Sequence, residues 1–591
     1  MKHILLAFLV SLPSLLCGQG VAVDAGTNVI LGDEPRIRAT LFGLTAFEGG
    51  PAMVADRDYW ARIAALRPGC IRYPGKIDWV TGDTPRDPGF FATTAARNAF
   101  NKALLFGSRY PIGRFLPATR QLGAEPMCSL GGVPKWLQHE KTRNPADFDR
   151  WAGLCAGYVG LWKERDPQLR LVQIWNEPNA SWFRDPRATD KGSDAATLHI
   201  EMANKVARAV KQAHPDVLVG GPVLCWAPGW PRNQKGQKPW YTWQGWTLPW
   251  LEGTKDTIDF FDFHVYDISP EDFAVQSEML VNAAERIQSR RLPIWITESN
   301  YNLKKEELKD GPAIWEKRIV PYARLLLKGI LPQADKIHGN LYHDLHATRH
   351  TLLPNGADQP DPVYWLLWIL RDLRGLRVKV DTGIPDIVAA ATMEEDRVTT
   401  ILFNDSPAAQ DVPLTVTMPC GYWTGPSVRL MQRGESGTAE PSRPRVKFQR
   451  QGPKASGTIR LGPHAIAAID FRMDRFGKAG RTLRVREHFG DRNVAFLQPN
   501  APVESTIPLP ADRAGTWQLR LGLLGPDGQE PLKLMLNGTA VPIQATALQQ
   551  APIADGLLKG TNTITLSLTG PVNNPQLALG FVSLVQTTTG K

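Results

Sequence analysis

The sequence predicts a multidomain α/β plus β protein: a (β/α)8 TIM barrel, a β-sandwich domain and a C-terminal β-rich, jelly-roll-like unit. Three observations predict it. Short apolar runs alternate with longer amphipathic stretches across roughly 300 residues, the pattern of repeated βα units. Beyond about residue 375 the chain turns to short strands separated by Gly and Pro, the pattern of a sandwich. The 591 residues also exceed what one hydrophobic core organises.

The first element is a secretory signal over residues 1–20. Basic Met1-Lys2-His3 precedes apolar Ile4 to Leu16, and Gly18 and Gly20 supply the small residues of a cleavage site. The mature chain is therefore expected to be secreted or periplasmic. Lipid attachment at Cys17 is the less favoured alternative, because bulky Leu16 precedes it. No later apolar run approaches the ~20 residues that span a bilayer.

Residues 21–41 read as two strands, Val21 to Ile30 and Arg36 to Leu41, placed to join the sandwich. Phe42 to Gly50 reads as a loop carrying Glu48. The barrel is expected over residues 42–375. Its elements include a helix over Tyr59 to Leu66, a strand at Cys70 to Gly75, and helices over Ala95 to Leu105 and Phe148 to Trp162. Further on come the strand Leu171 to Glu177, the helix Thr197 to Gln212, and strands at Val217 to Val223, Ile258 to Tyr266 and Ile294 to Glu298. A last strand ends near Tyr342, and Pro362 to Leu373 suits the closing helix. The sandwich is expected over 376–475. A second β-sandwich, a candidate carbohydrate-binding module, is expected over 476–591, with strands such as Trp517 to Leu523 and Leu532 to Leu536.

Counted this way, strand four ends at Glu177 and strand seven at Glu298. Each glutamate closes an apolar run, where an unpaired buried carboxylate would be costly. A parallel barrel does its chemistry at the C-terminal ends of its strands, and 121 residues, three βα units, separate the two. Two carboxyls facing one glycosidic bond can act as proton donor and nucleophile. Glu177 is the expected acid/base and Glu298 the expected nucleophile, with buried ion pairs as the competing reading of each.

Around them, Asn176 offers an amide to a sugar hydroxyl. His264 and Tyr266 alternate onto one side of strand six, where Tyr266 could orient Glu298. Arg72, after strand two, could hold a carboxylate, and Trp79 could floor a sugar subsite. Glu48, Asn340 and His343 are weaker candidates at strands one and eight. The Pro-, Gly- and Lys-rich insert Cys225 to Trp250 carries Trp226, Trp230, Trp240, Trp243, Trp246 and Trp250. Aromatic faces stack on pyranose rings, so Trp226, Trp243 and Trp246 are expected to wall the substrate cleft; a self-packed aromatic loop is the alternative.

The formal charge of +10 is spread along the chain and suits an anionic polysaccharide weakly. An exported chain without a recognisable nucleic-acid module is not expected to bind nucleic acid. Five cysteines, Cys70, Cys128, Cys155, Cys225 and Cys420, follow the signal, too few and too widely spaced for a disulfide scaffold. No metal-ligand spacing appears.

Trp175-Asn176-Glu177-Pro178-Asn179 resembles the acid/base motif of the retaining glycoside hydrolases of clan A, and Trp295-Ile296-Thr297-Glu298-Ser299 resembles their nucleophile strand. Ile71-Arg72-Tyr73-Pro74-Gly75 is similar to their arginine-bearing strand two, and His264-Val265-Tyr266 to their His-x-Tyr of strand six. The resemblance extends over about residues 22 to 475 and touches families 39, 51 and 86. It implies a retaining O-glycosyl hydrolase acting on β-type bonds in a polysaccharide or its oligosaccharides, with an anionic or algal glycan as one candidate. It implies neither organic cofactor nor catalytic metal. A non-catalytic carbohydrate-binding barrel and a transglycosylase are the alternatives.

Overall fold

The computed structural model describes residues 20–29, 36–46, 57–105, 112–140, 142–182, 193–225, 242–304, 306–345, 352–353, 360–394, 397–418, 423–434, 439–452 and 454–473. It also describes eight segments beyond: 482–483, 495–496, 503–508, 516–524, 532–541, 548–553, 561–568 and 578–587.

Eight parallel strands close into a barrel in chain order: β1 (Gly43–Thr45), β2 (Cys70–Pro74), β3 (Glu125–Leu130), β4 (Leu171–Ile174), β5 (Leu218–Leu224), β6 (Phe260–Tyr266), β7 (Ile294–Asn300) and β8 (Ile337–His343). The strand expected over Arg36 to Leu41 is corrected: only Arg36–Ile37 is extended, and Ala39–Phe42 makes a 3₁₀ turn. That turn delivers the chain into β1, a strand within the loop expected over Phe42 to Gly50.

The barrel interior is layered. Cys70, Met127, Leu171, Phe260, Trp295 and Leu341 fill the floor as a cluster of their own. Two large rings fit there because facing positions lack side chains: a Cβ on Gly220 would lie 2.1 Å from the Phe260 ring, and one on Gly339 would lie 2.3 Å from Trp295. Outward residues such as Val172, Phe261, Phe263 and Ile296 join the main core beneath the helices. Those helices end where their sequences say. Asp147 accepts two N–H groups at the start of Phe148–Arg165, and Ser269 with Pro270 opens Pro270–Gln288.

The strands expected to form the first sandwich belong to one curled sheet of 11 strands, which packs around a core of its own. Val21–Val29 zips its halves together, pairing antiparallel with Gly375–Thr382 and parallel with Gln410–Thr417. Both faces of its central strands are apolar. On Arg397–Asn404, Val398 and Leu402 enter the sheet's own core while Ile401 and Phe403 enter the barrel core. Period-two alternation therefore fails to appear there, which is how a sheet buried on both sides reads.

Among the described residues beyond 480, nine strands form two antiparallel sheets of five and four. Among the described residues, no helix is long and apolar enough to cross a membrane. Cys70, Cys128, Cys155 and Cys225 are buried thiols; Cys420 lies outside the described residues.

Candidate active site

Inward parity stacks chemistry above the barrel floor. On β2, Arg72 follows Cys70 by two residues; on β4, Gln173 follows Leu171; on β6, Asp262, His264 and Tyr266 rise in turn above Phe260. Each polar group thus points the way its apolar floor neighbour does.

Arg72 is the centre of this middle layer. Its Nη1 donates to Glu298 Oε1 at 2.6 Å, Nη2 to Asn176 Oδ1 at 2.6 Å, and Nε to Gln173 Oε1 at 2.6 Å. Gln173 Nε2 donates in turn to Asp262 Oδ2. The other Asp262 oxygen accepts the Val223 N–H at 2.8 Å, and the Val223 carbonyl accepts the Glu177 N–H at 2.9 Å. A buried guanidinium so fully bonded is a rigid fixture rather than an unpaired charge.

Glu298 reaches the lumen through a bulge. Strict alternation would put it on the outer face with Ile296. Thr297, however, has no partner in register: β6 passes from the pair Phe263–Ile296 directly to His264–Glu298, and β8 skips the same position. The extra residue turns Glu298 inward. The Thr297 carbonyl accepts the Thr45 hydroxyl of β1 at 2.8 Å.

Glu298 is only 4% exposed. Its Oε2 accepts the Tyr266 hydroxyl at 2.5 Å and lies 3.4 Å from Nδ1 of both His264 and His343. Burial opposes its ionisation, yet the facing His264, His343 and Arg72 side chains and the Tyr266 hydroxyl hold its carboxyl well below the usual carboxylate range. Burial pushes His343 below the ordinary imidazole value, while Arg72, 2.6 Å from Glu298, carries a permanent positive charge. Burial, then Glu298 and Glu177, push the Tyr266 phenol well up, which keeps it a donor.

Glu177 leaves β4 through strained backbone. Trp175 at φ 72° and Glu177 at φ 46° lie in the left-handed region, as does Val223 at φ 58° opposite them. Three such residues meeting at one rim mark a place where geometry outweighs backbone comfort. Glu177 Oε1 lies 2.8 Å from His264 Nδ1. One ligating atom from each of Glu177, His264 and Glu298 falls within 4.8 Å of the others. The Cys225 thiol lies against Glu177, and burial followed by that carboxylate pushes it up. Asn179 pins the Cys225 backbone with two bonds of 2.8 Å.

The structure therefore brings Arg72, Asn176, Glu177, His264, Tyr266, Glu298 and His343 together. Two expectations are corrected. Asn340 faces outward from β8: its amide donates to the Leu41 carbonyl at 3.4 Å and it bonds Tyr322, behind the wall from the lumen. Trp246 is 1% exposed and sits in the core against His199, ring centroids 5.9 Å apart; a ring so enclosed cannot stack on sugar. Trp243 is half-buried and packs on the same core, while Trp79 remains 36% exposed on Asp78–Thr81 after β2. Glu48 and Trp226 lie outside the described residues.

Sequence reading passed over Gln173, Asp262, Val223 and Cys225. The signal was present for two of them: Gln173 interrupts an apolar strand, and Asp262 stands among three phenylalanines. Nothing in the sequence marks the left-handed Val223.

Residues 152–315, which contain all of Gln173, Asn176, Glu177, Asp262, His264, Tyr266 and Glu298, match the family model described as glycosyl hydrolase catalytic core. A β-xylosidase of Geobacillus stearothermophilus is 26% identical over 128 residues, 19% of this chain and 24% of that protein. The chain thus spans about a quarter of that relative. Among solved structures, a family 86 glycoside hydrolase in complex with neoagarooctaose is similar over 96% of this chain and 98% of its own, at 16% identity and TM-score 0.56. A β-porphyranase of family 86 from Bacteroides plebeius is similar over 97% of this chain and all of its own, 100%, at 13% identity and TM-score 0.51. A family 39 enzyme from Xanthomonas axonopodis pv. citri covers 77% of this chain and 97% of its own, at 14% identity and TM-score 0.53. The chain shares with them the glycoside-hydrolase type of barrel fold.

Proposed function

We propose that this protein is a retaining glycoside hydrolase, with Glu298 as nucleophile and Glu177 as acid/base. The observation that carries the reading is the close approach of the two carboxylates, with oxygens within 4.8 Å of each other. That spacing suits the ~5–5.5 Å of a double displacement and leaves less room than the ~6.5–9.5 Å that inversion uses for its water.

In this reading Glu298, ionised under Arg72 and Tyr266, attacks the anomeric carbon while Glu177 protonates the departing oxygen. Glu177 then takes a proton from the water that releases the sugar. His264 stands between the two carboxylates, within 2.8 Å of one and 3.4 Å of the other, and keeps them in one frame through both steps. Asn176, fixed by Arg72, offers its remaining amide hydrogens to a hydroxyl beside the reacting carbon.

The substrate class we infer is a β-linked polysaccharide or its oligosaccharides, with galactans of the agar and porphyran type first among them. The two family 86 neighbours align with nearly the whole chain, the family 39 neighbour with 77% of it, and the net charge of +10 suits an anionic glycan. The signal-like start supports action outside the cytoplasm, and the two C-terminal sheets support a jelly-roll module that docks polymer.

The test is covalent trapping. An activated 2-deoxy-2-fluoro glycoside is expected to inactivate the protein with one equivalent of label on Glu298, and products from oligosaccharides should retain the anomeric configuration. Inverted products, or label elsewhere, would overturn the assignment.

A further inference from the structure

A second charged centre lies at the opposite end of the barrel, where the strands begin. A cavity of about 330 Å³ opens there between the barrel and the curled sheet, lined by Arg67, Arg371, Arg397, Arg429, Arg443 and Arg472. Arg67 and Arg371 come from the barrel, just beyond helices Arg57–Leu66 and Pro362–Leu370; the other four come from the sheet.

Among the described residues, only two carboxylates, Asp372 and Asp470, share this lining. Asp372 is saturated: Oδ1 takes Arg67 and, at 2.6 Å, Arg397, while Oδ2 takes Arg429 at 2.5 Å and Arg371 at 3.4 Å. A carboxylate has about four acceptor directions, and all are used. Asp470 accepts the Thr399 hydroxyl at 2.8 Å and faces Arg429 Nη2 at 3.1 Å. Glu394, nearby, faces Arg67 at 3.8 Å and Arg374 at 3.4 Å; counting that pair, one acid is added with one further arginine. Setting Arg472 aside, a surplus of three positive charges stands either way.

Packing does not neutralise that surplus. Arg371, Arg429 and Arg443 gather around a single indole, 4.7, 5.5 and 5.5 Å from the Trp368 ring centre, which holds the guanidinium planes without cancelling their charge. Arg429 is 3% exposed, lines the cavity, and its Nε has no hydrogen-bond partner among the described residues. A buried donor on a permanent cation, beside a cluster of like charges, is a site built for an anion.

We propose that this cavity binds a tetrahedral oxyanion, a sulfate or phosphate group, gripped by arginines from both domains. A dianion with four oxygens can accept from several guanidinium forks at once, which a single carboxylate cannot. The group can come from free inorganic anion or from a sulfate ester on a glycan; either source would tie the barrel to the sheet at a point remote from Glu177 and Glu298. This inference stands apart from the proposed catalytic reading.

The experiment is thermal unfolding and calorimetric titration of the full chain with sodium sulfate, sodium phosphate and a sulfated galactose, against sodium chloride at matched ionic strength. Binding to the folded state raises Tm with a saturable dependence on ligand. Saturation by sulfate or phosphate but not chloride is expected. Arg443→Gln, an exposed member of the lining, should raise the midpoint at least fivefold; Arg443→Lys, which keeps the charge but loses the fork, should raise it several-fold. Arg460→Gln, paired with Asp411 on the surface, should keep the wild-type midpoint. Tighter saturation by the sulfated sugar than by inorganic sulfate assigns the glycan as source, and the reverse assigns the free anion. Absence of any saturable effect beyond chloride, or an unchanged midpoint in both Arg443 variants, would overturn the proposal.

Discussion

Asp262 governs the backbone of Glu177 without touching it: its carboxylate accepts the Val223 N–H at 2.8 Å, and the Val223 carbonyl accepts the Glu177 N–H at 2.9 Å. Through its second oxygen it also orients Gln173, and through Gln173 the Arg72 that grips Glu298. One buried carboxylate therefore steers both glutamates, and it must accept on both sides to do so.

That directionality makes Asp262→Asn informative. An asparagine can accept on one side only. If it keeps the Val223 N–H, its amide meets the Gln173 amide head-on; if Gln173 flips to relieve this, its own amide then faces Arg72 Nε. Either way Arg72 loses its seat. The expected loss in kcat/KM is on the order of 100-fold, the cost of a misplacement near 1 Å, with the far-ultraviolet circular dichroism unchanged. Activity within a few-fold of wild type would show that the relay is not needed.

The same carboxylate predicts opposite pH slopes for stability and activity. Burial pushes Asp262 up to about 6, despite the bonds from Gln173 and Val223 and the facing Arg72 and His264. Its folded value lies above that of the unfolded chain, so between about pH 4 and 6 the folded state holds the extra proton. Its contribution to stability is thus greatest below that window, falls as pH rises through it, and is flat above, a change on the order of 3 kcal/mol. Activity should rise across the same window, because the relay needs the ionised form. Urea unfolding from pH 4 to 7, wild type minus Asp262→Asn, isolates the first slope; kcat/KM against pH gives the second. A difference curve that does not fall between pH 4 and 6 would refute the assignment.

Thr45→Val tests the bulge. The Thr45 hydroxyl donates to the carbonyl of Thr297, the residue that has no register partner on either neighbouring strand. Valine is nearly isosteric and takes that donor away from a buried strand, at a cost of about 1 kcal/mol for the lost hydrogen bond. Because Thr297 adjoins Glu298, kcat should fall several-fold while KM changes little. Equal Tm and kcat in the variant would mean that the bulge is held by other contacts.

How much of this was legible beforehand divides along physical lines. The barrel and both glutamates were readable because an apolar run ending on an acid is costly unless the acid has a purpose. The register that presents Glu298 was not, since a one-residue bulge leaves no mark in the sequence and simple alternation points that side chain outward. Trp246 was misread for a related reason. Tryptophan is as good at filling a core as at floor-laying a subsite, and an insert that mixes Pro, Gly and Lys hides which of its rings turn inward. Val21–Val29 was readable as a strand, but whether it would divide two sheets or join them depends on pairing partners roughly 350 to 390 residues away.

The corrected role of Trp246 predicts where its removal is felt. Trp246→Ala should cost roughly 3–5 kcal/mol of stability, as for a large aromatic taken from a packed core. Tm should drop accordingly, while KM for oligosaccharide below the new Tm should stay within about twofold, since the ring is enclosed with His199 and away from solvent. A rise in KM with unchanged Tm would return Trp246 to the substrate cleft.

Glu177→Ala separates the two chemical steps. Without a proton donor, substrates with poor leaving groups should lose on the order of 10²–10⁴-fold in kcat/KM, whereas an activated aryl glycoside, whose departure needs no proton, should lose far less in its first step. The glycosyl-enzyme then accumulates, because no base remains to activate water. Added azide, a small nucleophile that needs no deprotonation, should restore turnover and yield a glycosyl azide of the substrate's own anomeric configuration. Equal losses for good and poor leaving groups, without rescue by azide, would place the proton donor elsewhere in the barrel mouth, with His264 the next side chain to substitute.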